Sequence, residues 1–221
     1  MKWYLDFGHG GKDPGALGTN KTKESDTVLK IGMLIKNNLE QAFEKVITTR
    51  EDDKYYSLDY RSSKANKENC DYFVSIHMNS STNKSAKGVE VWVYDEKSKL
   101  YTLSKDICTN LSKDINTPNR GVKISKNFSV LKKTKMPALL IEIDFISNTS
   151  VEASLKSDIY IKNIATSISK SLLTFVNKSI VDDGIFYRVC IGEFKDMSTA
   201  VEIKNTAISK GFNNTHIINS L

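Results

Sequence analysis

With 221 residues, 39% apolar and 26% charged, the chain can bury a real core and is neither disordered nor fibrous in composition. A net charge of +6 suits an anionic partner such as a wall polymer, but no block of five or six basic residues occurs, so nucleic acid is not expected. No stretch approaches the roughly 20 apolar residues of a membrane span, and membrane insertion is not expected either.

Lys2 to Phe7 is a short aromatic-rich run of strand length, and Gly8, Gly10, Gly11, Pro14 and Gly15 follow at once. This predicts a strand emptying into a tight loop in which His9 stands among glycines, open to a ligand or metal. Ser25 to Phe43 has apolar residues at Val28, Ile31, Leu34, Ile35, Leu39 and Phe43, the spacing of an amphipathic helix with Glu24 at its N-terminal edge. Lys45 to Thr49 is a short β-branched run, Leu58 to Asn69 a more polar helix, and Asp71 to His77 a strand ending on the second histidine. Gly88 to Tyr94 alternates cleanly and predicts a half-exposed or edge strand. Leu100 to Ile115 has helical spacing, and Thr117 to Phe128, rich in Asn, Pro and Gly, reads as a loop. Pro137 to Phe145 is nearly all apolar, as a strand covered on both faces should be, apart from Glu142. Ser154 to Val176 closes the region as a helix.

Strands alternating with helices predict an α/β domain with a mostly parallel sheet, whose sites lie at the carboxyl ends of the strands. His9, Glu24, His77 and Glu142 then gather at one rim. Each alone has an ordinary structural explanation; Glu24 suits a first helical turn, and an arginine such as Arg61 or Arg120 can pin Glu142. Together they suggest a catalytic zinc, for which two histidines and one carboxylate are a usual ligand set. A further carboxylate would move the proton between the attacking water and the leaving amine. Residue chemistry does not decide which glutamate is ligand and which is base. Glu24, whose loop lies beside His9, is favoured as ligand, and Glu142, on a rigid strand, as base.

His9-Gly10-Gly11-Lys12-Asp13-Pro14-Gly15-Ala16, Glu24, Thr49-Arg50, Arg61 with Ala65-Asn66, Ser75-Ile76-His77-Met78-Asn79, Asn119-Arg120-Gly121-Val122-Lys123 and Glu142 to Asn148 resemble the successive motifs of zinc-dependent N-acetylmuramoyl-L-alanine amidases of the amidase-3 family. The resemblance implies a twisted six-stranded sheet flanked by helices, and hydrolysis of the amide between N-acetylmuramic acid and L-alanine in peptidoglycan. Carried over, His9, Glu24 and His77 are zinc ligands and Glu142 the catalytic glutamate, in agreement with the reading from the residues. Asn79 and Arg120 are expected substrate contacts by placement. Phe7, Ser80 and Asp144 depart from the usual motifs, and Asp144 adds a carboxylate that faces either the site or solvent. A non-catalytic peptidoglycan-binding protein and a zinc carboxypeptidase acting on stem peptides are the rival readings.

The catalytic domain is expected over residues 1–176, a linker over 177–184 and a small module over 185–221. Ile185 to Phe194 reads as a strand with a turn, Met197 to Lys210 as a helix capped by Gly211, and His216 to Ile218 as a second strand. This β-α-β pattern resembles half of a SPOR domain, a peptidoglycan-binding module. A segment this short is below the size at which a lone core is stable, which suggests either a homodimer that assembles two halves or an appendage packed on the catalytic domain. His216 is expected to have no metal role. Cys70, Cys108 and Cys190, without any C-x-x-C, read as reduced thiols of a protein made in the cytoplasm. With strand residues already at the N-terminus, no signal peptide is expected. Such a protein would reach the wall only on release, as a phage-type endolysin does.

Overall fold

The computed structural model describes residues 1–180, 192–212, 215 and 217. The chain divides into two compact units, Met1–Val181 and Asp182–Leu221. The first is built on strands β1 (Lys2–Phe7), β2 (Lys45–Thr48), β3 (Tyr72–Asn79), β4 (Val89–Val93), β5 (Asn119–Ile124) and β6 (Ala138–Phe145). They form one six-stranded sheet in the order β2-β1-β3-β6-β4-β5. β2, β1, β3 and β6 are parallel, β4 runs antiparallel to β6, and β5 runs parallel to β4. The carboxyl ends of the first four strands therefore share a rim with the amino ends of β4 and β5.

The period-two alternation of strand side chains sets what each face does. Trp3, Leu5 and Phe7 of β1, Ile141 and Ile143 of β6 and Val89, Val91 and Val93 of β4 enter one core. That core is completed by α1 (Glu24–Gln41), α3 (Tyr101–Asp114) and α6 (Asp158–Phe175). Tyr4, Phe73 and Leu140 face the other way, toward Ala65 of α2 (Leu58–Lys67) and Val130 and Leu131 of α4 (Ser129–Lys133). Asp6, His77, Glu90 and Glu142 fall on this second face by parity. At the rim, where α2 and α4 leave it open, polar side chains on that face meet a groove rather than a core.

Three expectations are corrected. Thr117 to Phe128 is not all loop, because residues 119–124 form β5 beside β4. β5 is consequently an edge strand, as β2 is at the other end, and β4 lies inside the sheet; its alternation reflects two different buried faces, not an exposed one. Phe43 does not belong to the apolar face of α1, which ends at Gln41; it has φ 58° and is 88% exposed. α5 (Thr149–Ser154) and α4 are additional short helices, and the closing helix begins at Asp158.

Cys70 and Cys108 are buried free thiols. No helix among the described residues is long and apolar enough to cross a membrane. In the second unit, α7 (Met197–Ser209) is N-capped by Asp196, whose carboxylate accepts from the Thr199 amide at 2.8 Å. Gly211 follows with φ 96°, as a C-terminal cap requires. Most of the expected strand at 185–194, together with Cys190 and His216, lies outside the described residues.

Candidate metal centre and active site

The glycine-rich loop delivers His9 to the rim in a left-handed conformation, φ 59°, unusual for a residue with a side chain. Buried arginines hold it there. Arg61 of α2 donates to Phe7 O and His9 O, both at 2.8 Å, and pairs with the buried Asp6 carboxylate at 2.8 Å. Arg50, just past β2, donates to Phe7 O, Gly8 O and Ser25 O at 3.1, 2.8 and 2.7 Å, joining the loop to the first turn of α1. The glycines are required for close approach: a Cβ on Gly8 would lie 2.3 Å from the His77 ring, and one on Gly15 2.7 Å from Glu24 Oε2. A second clasp comes from buried Glu152 of α5, which accepts from the amides of Asn20 and Thr22 and fixes the segment leading into Glu24.

These restraints bring three of the expected residues together. Glu24 Oε1 lies 3.1 Å from His9 Nε2 and 3.0 Å from His77 Nδ1, and one donor atom from each residue falls within 4.8 Å of the others. Two imidazole nitrogens and a carboxylate oxygen at this spacing fit a tetrahedral zinc, whose ligand bonds of about 2.0–2.2 Å set donors about 3.3 Å apart. Glu24 is further anchored by the amides of Met78 (3.0 Å) and Ala16 (2.8 Å), and Asp13 Oδ2 stands 2.9 Å from His9 Nδ1, which turns Nε2 inward. Burial alone would raise the Glu24 carboxyl, but both histidines outweigh it and hold the group well below its ordinary range. Burial would likewise lower His9, and the Glu24 and Asp13 carboxylates reverse this and raise it to about 8.

Glu142 is the in-register neighbour of His77 on β6. Neither Arg61 nor Arg120 pins it: Arg61 is committed to Asp6 and Arg120 Nε to Glu90 at 2.6 Å. Its Oε2 is buried and without a hydrogen-bond partner among the described residues. Burial pushes its carboxyl up to about 7, opposed by His77 and reinforced by the Glu24 and Glu90 carboxylates. His9, Glu24, His77, Asn79 and Glu142 line one groove of ≈ 460 Å³, with Tyr55, Tyr56 and Leu58 on one side and Phe128 and Val130 on another.

Asn79 and Arg120 both contact Glu90 and stand on the side of the centre toward β4 and β5. Asp144 faces neither site nor solvent; it is buried and accepts from Thr117 Oγ1, the Gly88 amide and the Phe145 amide. Physical reading of the sequence passed over Asp13, Arg50 and Glu90. The signal for Glu90 was present, since it alternates with the valines of β4 and so shares a face with Trp92 rather than with the core.

Residues 4–174 match the amidase-3 family of N-acetylmuramoyl-L-alanine amidases. The chain is 34% identical over 215 residues to a sporulation-specific N-acetylmuramoyl-L-alanine amidase of Bacillus subtilis, covering 96% of this chain and 82% of that protein. It is 35% identical over 181 residues to the endolysin of Bacillus phage SPP1, covering 79% and 65%. Among solved structures, the amidase AmiC2 of Nostoc punctiforme superposes with a TM-score of 0.75 at 32% identity, over 80% of this chain and 97% of that one. The CwlD amidase of Clostridioides difficile, solved with the GerS lipoprotein, gives 0.75 at 32% identity over 80% and 98%. The chain is a member of the amidase-3 family of N-acetylmuramoyl-L-alanine amidases.

Proposed function

We propose that the protein hydrolyses the amide between the lactyl group of N-acetylmuramic acid and L-alanine in peptidoglycan, with zinc held by His9, Glu24 and His77 and Glu142 as the catalytic carboxylate. The observation that carries this reading is Glu142, whose buried Oε2 has no hydrogen-bond partner among the described residues, on the strand next to a His/Glu/His donor cluster. Zinc held there would supply a water with a pKa of about 7 and would polarise the scissile carbonyl. Glu142 takes the proton from the attacking water and gives it to the departing alanine nitrogen. A carboxyl raised to about 7 exchanges protons readily in both directions near neutrality. Asp13 keeps His9 turned inward, and the Arg50 and Arg61 clasps hold the loop that carries it.

Mass spectrometry of muropeptides after incubation tests this, with Glu142→Ala and a chelated sample in parallel. Stem peptides that begin at a free L-alanine, absent from both controls, are expected. A cut inside the stem peptide would move the assignment to a zinc carboxypeptidase, and binding of sacculi without cleavage would make the protein a binding module.

The second unit is assigned as a SPOR-like half module that binds the wall and pairs with its counterpart in a homodimer. Similarity to the sporulation-specific amidase over 96% of the chain, beyond the catalytic region, supports a shared C-terminal segment. Sedimentation of the full chain beside one ending at Val176 is expected to give a dimer and a monomer; monomers in both samples would remove the pairing. The setting proposed is lytic, with the protein made in the cytoplasm and meeting the wall once the membrane is opened, as the endolysin relative suggests. Intracellular expression should then leave cells intact until the membrane is permeabilised.

A further inference from the structure

Glu90 is a buried carboxylate one strand away from the catalytic centre. It stands opposite Glu142 in the antiparallel β4–β6 register, on the same face, at a strand spacing of about 4.8 Å. Its two oxygens are divided between two side chains: Oε1 accepts from Arg120 Nε at 2.6 Å and Oε2 from Asn79 Nδ2 at 3.2 Å. The arginine is held on its other sides as well. Its guanidinium carbon lies 5.1 Å from the centre of the Phe145 ring, and its stem runs over Gly88, where a Cβ would come within 2.7 Å of Arg120 Cγ and Cδ. Gly88 itself has φ 123° and donates its amide to the buried Asp144 at 2.7 Å. The β4–β5 register shifts between Val89 and Val91, an irregularity opposite the stretch of β5 that carries Arg120.

A surface arginine on an edge strand is ordinarily free. Here the Nε is spent on Glu90, yet the side chain remains 43% exposed and, among the described residues, its two terminal nitrogens make no hydrogen bond. A guanidinium fixed through Nε presents its remaining N–H edge in one orientation, the geometry that takes a carboxylate through two parallel hydrogen bonds. Resting on the amidase reading, we propose that Arg120, positioned by Glu90, binds the free α-carboxylate of the second stem-peptide residue, the γ-linked glutamate. The placement matches the substrate: the next residue along an extended chain lies about 3.3–3.6 Å further per residue, so the second side of the stem falls about 7 Å from the scissile amide. That is the scale of one to two strand spacings from Glu142 to β4 and β5. Glu90 is a positioning residue in this scheme and Arg120 the substrate contact.

The experiment compares kcat/KM on soluble muramoyl-tripeptides that differ in one group. One carries the free α-carboxylate on the second residue, another its carboxamide, and a third keeps that carboxylate but has the terminal carboxylate amidated. The wild type is expected to prefer the free second-residue carboxylate by about tenfold, mostly in KM, and to be indifferent to the terminal group. Arg120→Gln should bring the ratio close to one. Glu90→Gln and Gly88→Ala, which keep the guanidinium but loosen or displace it, should lower the ratio as well, whereas Arg120→Lys should retain part of it. A purely structural role for Glu90 would change melting temperature and zinc content and leave the ratio as in the wild type, overturning the proposal. So would a wild type that does not distinguish carboxylate from carboxamide, or one that responds to the terminal group instead. Since Arg120 is exposed, its variants remain informative where a Glu90 variant does not fold. Failure to release L-alanine-terminated peptide from any of the three would overturn the amidase reading, a result distinct from cleavage without discrimination.

Discussion

At the scale of single residues the centre rests on a few side chains whose neighbours define their work. Glu142 Oε2 has no partner among the described residues and burial raises the carboxyl to about 7, so Glu142→Gln, which preserves shape and removes the exchangeable proton, should cost roughly 10²–10⁴-fold in kcat. Zinc content should stay at the wild-type level, and parallel loss of metal would show that Glu142 helps to hold the ion. Asp13 works through His9 Nδ1 at 2.9 Å. Asp13→Ala is therefore expected to weaken zinc affinity by about 10–100-fold, as outer-shell partners of ligating histidines usually do, and competition with a chromogenic chelator measures it. The gathering of His9, Glu24, His77 and Glu142 was legible in the sequence because strand ends and a helix start bring backbones together at a rim whatever the details of packing. Glu90 and Asp13 were not, because their roles come from pairings across a loop or between strands whose register the sequence does not state. Arg120 illustrates the same limit: its carboxylate partner is Glu90 rather than Glu142.

Among the elements, most of the sheet and the long helices follow from periodicity, whereas β5 does not. Asn119-Arg120-Gly121-Val122-Lys123-Ile124 combines polar residues with a glycine at φ 79°, and its residues are at most half-buried. Edge strands commonly carry such charges and irregularities, which protect them from pairing with other chains and also erase the alternation by which strands are recognised. The β4 pattern misleads in the opposite direction, since Glu90 and Trp92 look solvent-facing but meet the active-site side and Phe128, respectively, with Trp92 and Phe128 centroids 5.4 Å apart. Helix α1 shows how closely the layers must approach for the centre to form. A Cβ on Gly32 would sit 2.3 Å from the Phe7 ring, so this glycine lets the helix bearing Glu24 press onto the strand leading to His9. Alanine favours a helix by about 1 kcal/mol, yet overpacking in a core costs about 1–3 kcal/mol. Gly32→Ala should therefore lower stability in urea unfolding despite its better helix propensity; a gain would show that Phe7 moves aside freely.

For the whole molecule, charge and pH act on different properties. If the net charge of +6 draws the protein toward an anionic wall, turnover of sacculi should fall as salt is raised while turnover of a small soluble muropeptide changes little. A contribution to acid resistance is expected from the buried ion pair beneath the loop, Asp6 with Arg61, which ties the first strand of the sheet to α2. Burial by itself would raise the Asp6 carboxyl, but Arg61 and the hydroxyls of Thr49 and Ser75 outweigh it and hold the group below its ordinary range. Since the folded value is depressed, the unfolded chain takes up the proton first as pH falls. The stabilisation is therefore complete above the unfolded aspartate value of about 3.9, and is lost as pH drops below it toward the folded value. Asp6→Asn leaves Arg61 buried without its counter-charge and should cost about 3–5 kcal/mol at pH 7. Urea unfolding of both proteins at pH 7 and at pH 3 reads the linkage directly. The gap in unfolding free energy between wild type and variant should narrow at the lower pH, because only in the wild type does unfolding then take up a proton at position 6. A gap of equal size at both values would mean that Asp6 stabilises the strand–helix junction through hydrogen bonds that survive protonation, and that the acid sensitivity of the molecule arises from other carboxylates.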